Sequence, residues 1–302
     1  METDLFFASM LNHPTIEIGP NNKEYSKLLS QIHDPPKKLY CRGNISLLNS
    51  TCFAVVGTRK LTSYGNETAQ QIVRDLANNG FTVVSGLALG IDAVVHQITL
   101  DCGGKTIAVL GGGVGNNNIG PRTNFPLAQN ILKNDGLLIS EYSDEESIRA
   151  FNFAVRDRII SGISIGVLVI EADVESGALI TAQCALDQNR DVFAVPGSVL
   201  SPKSVGPNTL IQNGAKLVMT AYDIINEYHE NLQLFSDKKK KVLTRNPMEE
   251  KIVNMLDEHG VLFIDDMIRK SGIEASAISV SLSMLEIRGI VKHLGNGKYR
   301  KT

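Results

Sequence analysis

Short apolar runs alternate with amphipathic stretches along most of the chain. Phe53-Ala54-Val55-Val56 is apolar throughout and stops at Gly57, which predicts a buried strand. Over residues 63–79 the apolar positions Ala69, Ile72, Val73 and Leu76 share one helical face, and Gly80 ends the helix. The alternation repeats, with strands at 82–84, 106–110, 137–139, 167–170 and 192–195 and a last one at 217–218. Helices fall between them at 91–100, 125–132, 155–163, 178–186 and 209–212. Strands separated by helices at this interval build βαβ units, and wholly apolar strands mean that helices cover both sheet faces. The predicted fold class is α/β: an extended Rossmann-like, doubly wound, mostly parallel sheet over residues 46–228. Residues 1–45 read as an extended lead-in, because Pro35 and Pro36 bias the residues before them away from helix.

The pattern changes after residue 228. Residues 229–247 carry the run Lys238-Lys239-Lys240-Lys241, close on Asn246-Pro247 and read as a charged linker. Residues 248–302 predict helices at 249–258, 262–270 and 275–287, then a hairpin. Its turn, Gly295-Asn296-Gly297, suits the positive φ angles of a type I′ turn. Three helices and a hairpin make a small winged-helix domain. Its third helix exposes Ser276, Ser279, Ser281 and Ser283 and few basic residues. Duplex readers normally present Arg, Lys, Asn or Gln there, so protein and DNA both stay open as partners of this tail.

Charge alters this picture only when divided along the chain. The net charge is −2, yet residues 238–302 hold 13 basic against 8 acidic residues. The remainder carries the opposite balance, an asymmetry that hints at nucleic-acid or membrane contact. No apolar run reaches the roughly 18 residues of a membrane span, and the N-terminus lacks the pattern of a secretory signal. A cytoplasmic location is expected, with no membrane partner. The four cysteines, Cys41, Cys52, Cys102 and Cys184, form no CxxC pair, so reduced core cysteines and no metal site are expected.

A parallel sheet places its functional loops at the carboxyl ends of its strands. There the chain offers Gly57-Thr58-Arg59, Ser85-Gly86, Gly111-Gly112-Gly113, Ser140-Glu141-Tyr142, Ser176-Gly177 and Pro196-Gly197. Glycine lets a ligand approach the backbone, and helix-start N–H groups bind anions, so the rim predicts a phosphate-bearing ligand. Neither GxGxxG after the first strand nor GxxxxGK[ST] is present, which argues against a dinucleotide cofactor or ATP hydrolysis. No nucleophile–base constellation stands out. Asp92 is expected to cap its helix, and His96 to be a packed or hydrogen-bonded histidine. The rim is instead rich in arginine: Arg59, Arg122, Arg149, Arg156 and Arg158, with Phe151 and Phe153 alongside. Guanidinium groups plus aromatic platforms suit single-stranded nucleic acid. The competing view puts the phenylalanines in the core and pairs the arginines with Glu141 or Glu171.

The ordered segments Gly57-Thr58-Arg59, Ser85 to Asp92, Thr106 to Gly111 and Ser140-Glu141-Tyr142 resemble the DNA-processing protein A family, DprA/Smf. So do Arg156 to Gly162, Ser176 to Ala182, Phe193 to Gly197 and Leu210 to Ala215, over about residues 23–220. The resemblance implies a homodimer that binds single-stranded DNA, protects it during natural transformation and loads the RecA recombinase. It implies no catalysis and no cofactor. DNA contact is expected at Gly57, Thr58, Arg59, Ser85, Gly86, Arg122, Arg149, Phe151, Phe153, Arg156, Arg158, Ser176 and Gly177. The chain departs from the family pattern at Ala154, where proline is usual, and at Asp157, where asparagine is usual. Ala150 and Gly120 also replace a basic residue and a tyrosine. An N-terminal helical domain of many relatives is expected to be missing or reduced. Two other functions compete: a nucleoside monophosphate phosphoribohydrolase on a similar sheet, and a dimeric scaffold whose tail binds protein.

Overall fold

The computed structural model describes residues 13–146, 149–233, 247–287 and 290–301. Two compact units divide at His229 and Glu230. In the first, nine strands form one sheet: β1 (Ile16–Ile18), β2 (Leu39–Gly43), β3 (Cys52–Val56), β4 (Thr82–Ser85), β5 (Lys105–Val109), β6 (Leu137–Ser140), β7 (Gly166–Val169), β8 (Asp191–Ala194) and β9 (Lys216–Leu217). Their order across the sheet is β1-β2-β6-β5-β4-β3-β7-β8-β9. All neighbours from β6 to β9 are parallel, while β1 and β2 run antiparallel at one edge. The chain winds outward from β3 to β6, then crosses back to place β7 on the other side of β3. That reversal is a topological switch point, where open α/β sheets form their ligand crevice.

The helices are α1 (Ser63–Asn78), α2 (Ile91–Asp101), α3 (Phe125–Lys133), α4 (Ala150–Gly162), α5 (Gly177–Asp187), α6 (Val205–Gln212) and α7 (Tyr222–Gln233). Every residue of β3, β4, β6 and β7 is buried, as the apolar runs require of a sheet covered on both faces. Below the sheet's centre Phe53 meets Phe81, Phe193 and Tyr228 at ring-centroid distances of 5.8, 5.6 and 6.3 Å. Tyr228 also donates its hydroxyl to Asp191 Oδ2 at 2.6 Å, which fastens α7 to the sheet.

Three expectations are corrected. The lead-in contributes two strands, so the sheet extends back to Ile16 rather than starting near residue 46. Helix α4 begins at Ala150, five residues before its predicted start. Its first half buries Asn152, Arg156 and Asp157, so no apolar period is there to read before Ile159 and Ile160. Residues 229–233 are helical, which removes them from the proposed linker. The rest of that linker, 234–246 with its lysine run, lies outside the described residues.

The second unit contains α8 (Pro247–His259), β10 (Val261–Phe263), α9 (Ile264–Ser271), α10 (Ala275–Ile287), β11 (Val291–His293) and β12 (Lys298–Lys301). Its core is Ile252, Leu256, Met267, Ile278, Leu282 and Leu285. Asn296 and Gly297 have φ of 50° and 70°, and Lys298 N–H donates to the Gly295 carbonyl at 3.0 Å. Strand β10 precedes α9 and makes the hairpin a three-stranded antiparallel sheet in the order β10-β12-β11. No helix among the described residues is long and apolar enough to cross a membrane.

Candidate anion-binding crevice at the strand switch point

A crevice of about 520 Å³ opens at the carboxyl ends of β3 and β7. Its rim is built by the loop after β3. Thr58 N–H donates to the Glu171 carbonyl at 2.6 Å, and Ile91 N–H donates to the Thr58 carbonyl at 3.2 Å. The loop is thus held between the end of β7 and the start of α2. Gly90 is required here: its φ is 80°, and a Cβ would lie 2.3 Å from the Thr58 carbonyl oxygen. Glu171 is buried and accepts from Thr62 N–H at 2.9 Å and Thr62 Oγ1 at 2.5 Å. This fixes the start of α1, whose cap Thr62 accepts in turn from Gly65 N–H.

Held this way, Arg59 and Lys60 line the crevice, exposed and without an ion pair among the described residues. The Arg59 guanidinium lies 5.7 Å from the centroid of the Phe153 ring, which itself rests on Gly111. Opposite, the first turn of α5 opens on the crevice through Ser176, Gly177 and Ala178. Ser176 caps that helix by accepting from Ala178 N–H at 3.4 Å, and nothing fills the space beside Gly177. Lys203 lines the same space, paired with Asp173 at 2.6 Å. Two exposed cations, an aromatic ring and a helix N-terminus converge on one opening, an arrangement that attracts anions.

The floor joins one cation to two buried carboxyls. Arg156 is 4% exposed and donates to Gly86 O at 2.7 Å, to Val109 O, and through Nε to Asp157 Oδ1 at 3.0 Å. It ties the ends of β4 and β5 to α4. Asp157 is buried beside it, and burial pushes its carboxyl up to about 6, against the pull of Arg156. Burial also raises the Asp92 carboxyl, again opposed by Arg156. Asp92 accepts from Gly86 N–H at 3.2 Å, so it fastens the loop after β4 instead of capping its own helix. His96 is fully buried, and burial lowers its imidazole to about 3, keeping it neutral. Thr106 donates to the Val83 carbonyl at 2.7 Å, so His96 Nδ1–H must donate to Thr106 Oγ1, also 2.7 Å away.

The residues expected at a DNA contact thus divide. Gly57, Thr58, Arg59, Phe153, Arg156, Ser176 and Gly177 line the crevice. Arg156 does so only as part of the floor, its Nε and Nη1 donors taken by Asp157, Gly86 and Val109. Arg158 lies outside the crevice lining, bound to both Glu141 carboxylate oxygens at 2.8 Å, with Asp34 at 3.4 Å. The pairing with Glu141 weighed in the sequence is the one found. Ser85 is buried and donates to the Val55 carbonyl, and Gly86 is likewise internal. Arg122 stacks on Phe125 at 4.6 Å and donates to the Asn116 carbonyl. Arg149 and Phe151, at the exposed start of α4, lie beyond the lining. Lys60 and Lys203 were missed. Lys60 follows directly on Gly57-Thr58-Arg59, a signal that was available, whereas Lys203 is brought in from a distant loop. Cys41 and Cys52 are buried, and Cys102 and Cys184 partly so, as free thiols.

Fold and site together define a Rossmann-like α/β protein with a crevice rimmed by exposed cations at its strand switch point. The chain belongs to the family described as DNA recombination-mediator protein A, whose model matches residues 17–229. It is 36% identical to Protein Smf of Escherichia coli, over 99% of this chain and 80% of that one. The X-ray structure of DNA processing protein A from Streptococcus pneumoniae superposes with a TM-score of 0.67 at 40% identity, covering 74% of this chain and 77% of that one. A second structure, from Helicobacter pylori, superposes with a TM-score of 0.65 at 29% identity, covering 73% and 98%. It is described as revealing a single-stranded DNA binding mode of DNA processing protein A.

Proposed function

We propose that this chain binds single-stranded DNA in the crevice between β3 and β7 and hands it on in DNA recombination. The observation that carries the proposal is the pair of cations Arg59 and Lys60, without an ion pair among the described residues and facing the first turn of α5 across a space one phosphate can enter. Phe153 offers an apolar face beside them for a base or sugar. The contacts are to backbone phosphate and to a stacking face, so binding has little sequence preference and falls with salt. The role needs no catalysis, and RecA recombinase is the protein partner and a homodimer the working form that the family resemblance implies. A titration of labelled oligonucleotide at several salt concentrations tests the binding. Stronger binding to duplex than to single strand, or release of free base from a nucleoside monophosphate, would overturn the proposal. Sedimentation of the free chain and capture of purified RecA test the assembly.

A further inference from the structure

The sheet of the smaller unit has two unlike faces. Side chains alternate along a strand, so the cross-strand register sorts them. On the inner face Leu262 pairs with Tyr299 and Tyr299 with His293, while Val291 pairs with Lys301. Leu262 and Val291 are buried, and Lys301 is bonded to both carboxylate oxygens of Asp257, at 2.7 and 2.8 Å. The outer face carries Val261, Phe263, Lys292, Lys298 and Arg300, every one exposed.

The register sets like charges side by side there. Arg300 lies directly opposite Lys292 on one flank and Val261 on the other. Lys298, two residues along the same strand, lies opposite Phe263 and holds its ammonium 4.9 Å from that ring's centroid. Like charges directly opposite across a ladder destabilise a sheet. Among the described residues no carboxylate pairs with Lys292, Lys298 or Arg300. Glu286 comes near, but its Oε1 accepts from the backbone N–H of His293 at 3.1 Å. The one cation of the inner face is paired and the three of the outer face are not. Neither face needs the outer cations for folding, since the core is formed beneath the inner one.

We propose that this outer face is a second binding surface for single-stranded DNA. Three unpaired cations within two adjacent strands complement a line of phosphates, and the exposed Phe263 and Val261 offer a flat apolar surface to unstacked bases. A duplex keeps its bases stacked inside and would use only the charges. The inference extends the proposed single-strand binding from the crevice to the smaller unit, and the two are tested by separate substitutions.

The experiment uses the full chain with a 40-nucleotide single strand, the matching duplex and an 8-nucleotide strand. Variants are Lys292→Ser with Arg300→Ser, Phe263→Ser alone, and Lys301→Ser as a control on the paired face. Losing two phosphate contacts should weaken the 40-nucleotide strand about tenfold and lower its salt slope by about 1.4, at about 0.7 per contact. Phe263→Ser should weaken it further than it weakens the duplex, and Lys301→Ser should change neither. A crosslink from a bromodeoxyuridine strand into residues 291–301 of the unaltered chain gives a readout that does not depend on how the variants fold. Unchanged affinity and slope in the double variant, an absent crosslink, or a loss confined to the duplex would overturn the inference. If Arg59→Ala leaves binding intact while the double variant abolishes it, the crevice proposal fails and this one stands.

Discussion

Two arginines show how exposure decides a role. Arg59 is exposed, free of ion pairs among the described residues, and holds its guanidinium over the Phe153 ring. Arg59→Ala should weaken single-strand binding tenfold to about a hundredfold, for the loss of one charge-assisted contact of roughly 1.5–3 kcal/mol. Its melting temperature should stay nearly constant, and Arg59→Lys should recover only part of the affinity. Arg156 is the reverse case. Its removal orphans the Asp157 carboxylate and two backbone carbonyls, so Arg156→Ala should cost about 3–5 kcal/mol in a denaturant titration. Asp157 adds a dependence on pH. Its carboxyl titrates near 6 in the fold, against about 3.9 in an unfolded chain. The folded state therefore holds the proton more tightly, and stability from this group is full below about pH 4 and lost as pH rises toward 6. Asp157→Asn should flatten that decline between pH 4 and 6 and leave the variant more stable than the parent at pH 7. His96, held near 3, works in the other direction as pH falls below 6.5, so the two proteins must be compared at each pH. A parallel pair of stability curves would contradict the assignment.

At the level of elements, two glycines at the crevice separate packing from ligand space. A Cβ on Gly57 would lie 2.6 Å from the Ile91 side chain, so Gly57→Ala should destabilise by about 1–3 kcal/mol. A Cβ on Gly177 meets nothing, so Gly177→Ala should melt like the parent yet lose affinity for the strand. Equal melting and equal binding in Gly177→Ala would remove α5 from the site. Apolar strands and helices that bury an apolar face were legible in the chain, and α1, α2 and α10 begin where the pattern places them. The start of helix α4 was misplaced because the side chains its first half buries are Asn152, Arg156 and Asp157. The edge strands β1 and β2 were missed because three and five residues with mixed burial carry too little period. The same blindness extends to the site. Sequence spacing named the loops of the rim, but an arginine turned outward and one turned into a floor look alike until their partners are known.

For the whole molecule, the two units make separable contributions. A chain ended at residue 246 keeps the first unit with α7 fastened by Tyr228, so it should fold and keep its affinity for a short strand. The salt slope with a long strand should be shallower than in the full chain, because the cations of the smaller sheet are gone. Loss of short-strand binding in that truncation would place the main contact outside the crevice.

The buried Arg156 has a consequence for how mutations in this chain would be read in a living cell. A substitution there leaves the chain marginal, and marginal proteins are cleared by proteases, so a change of a few kcal/mol lowers abundance several-fold or more. A screen for lost recombination would score Arg156 variants as severely as Arg59 variants, though the Arg156 proteins never accumulate. Blotting each mutant strain for the protein would sort the two groups, with Arg59→Ala present at the parent's level and Arg156→Ala depleted.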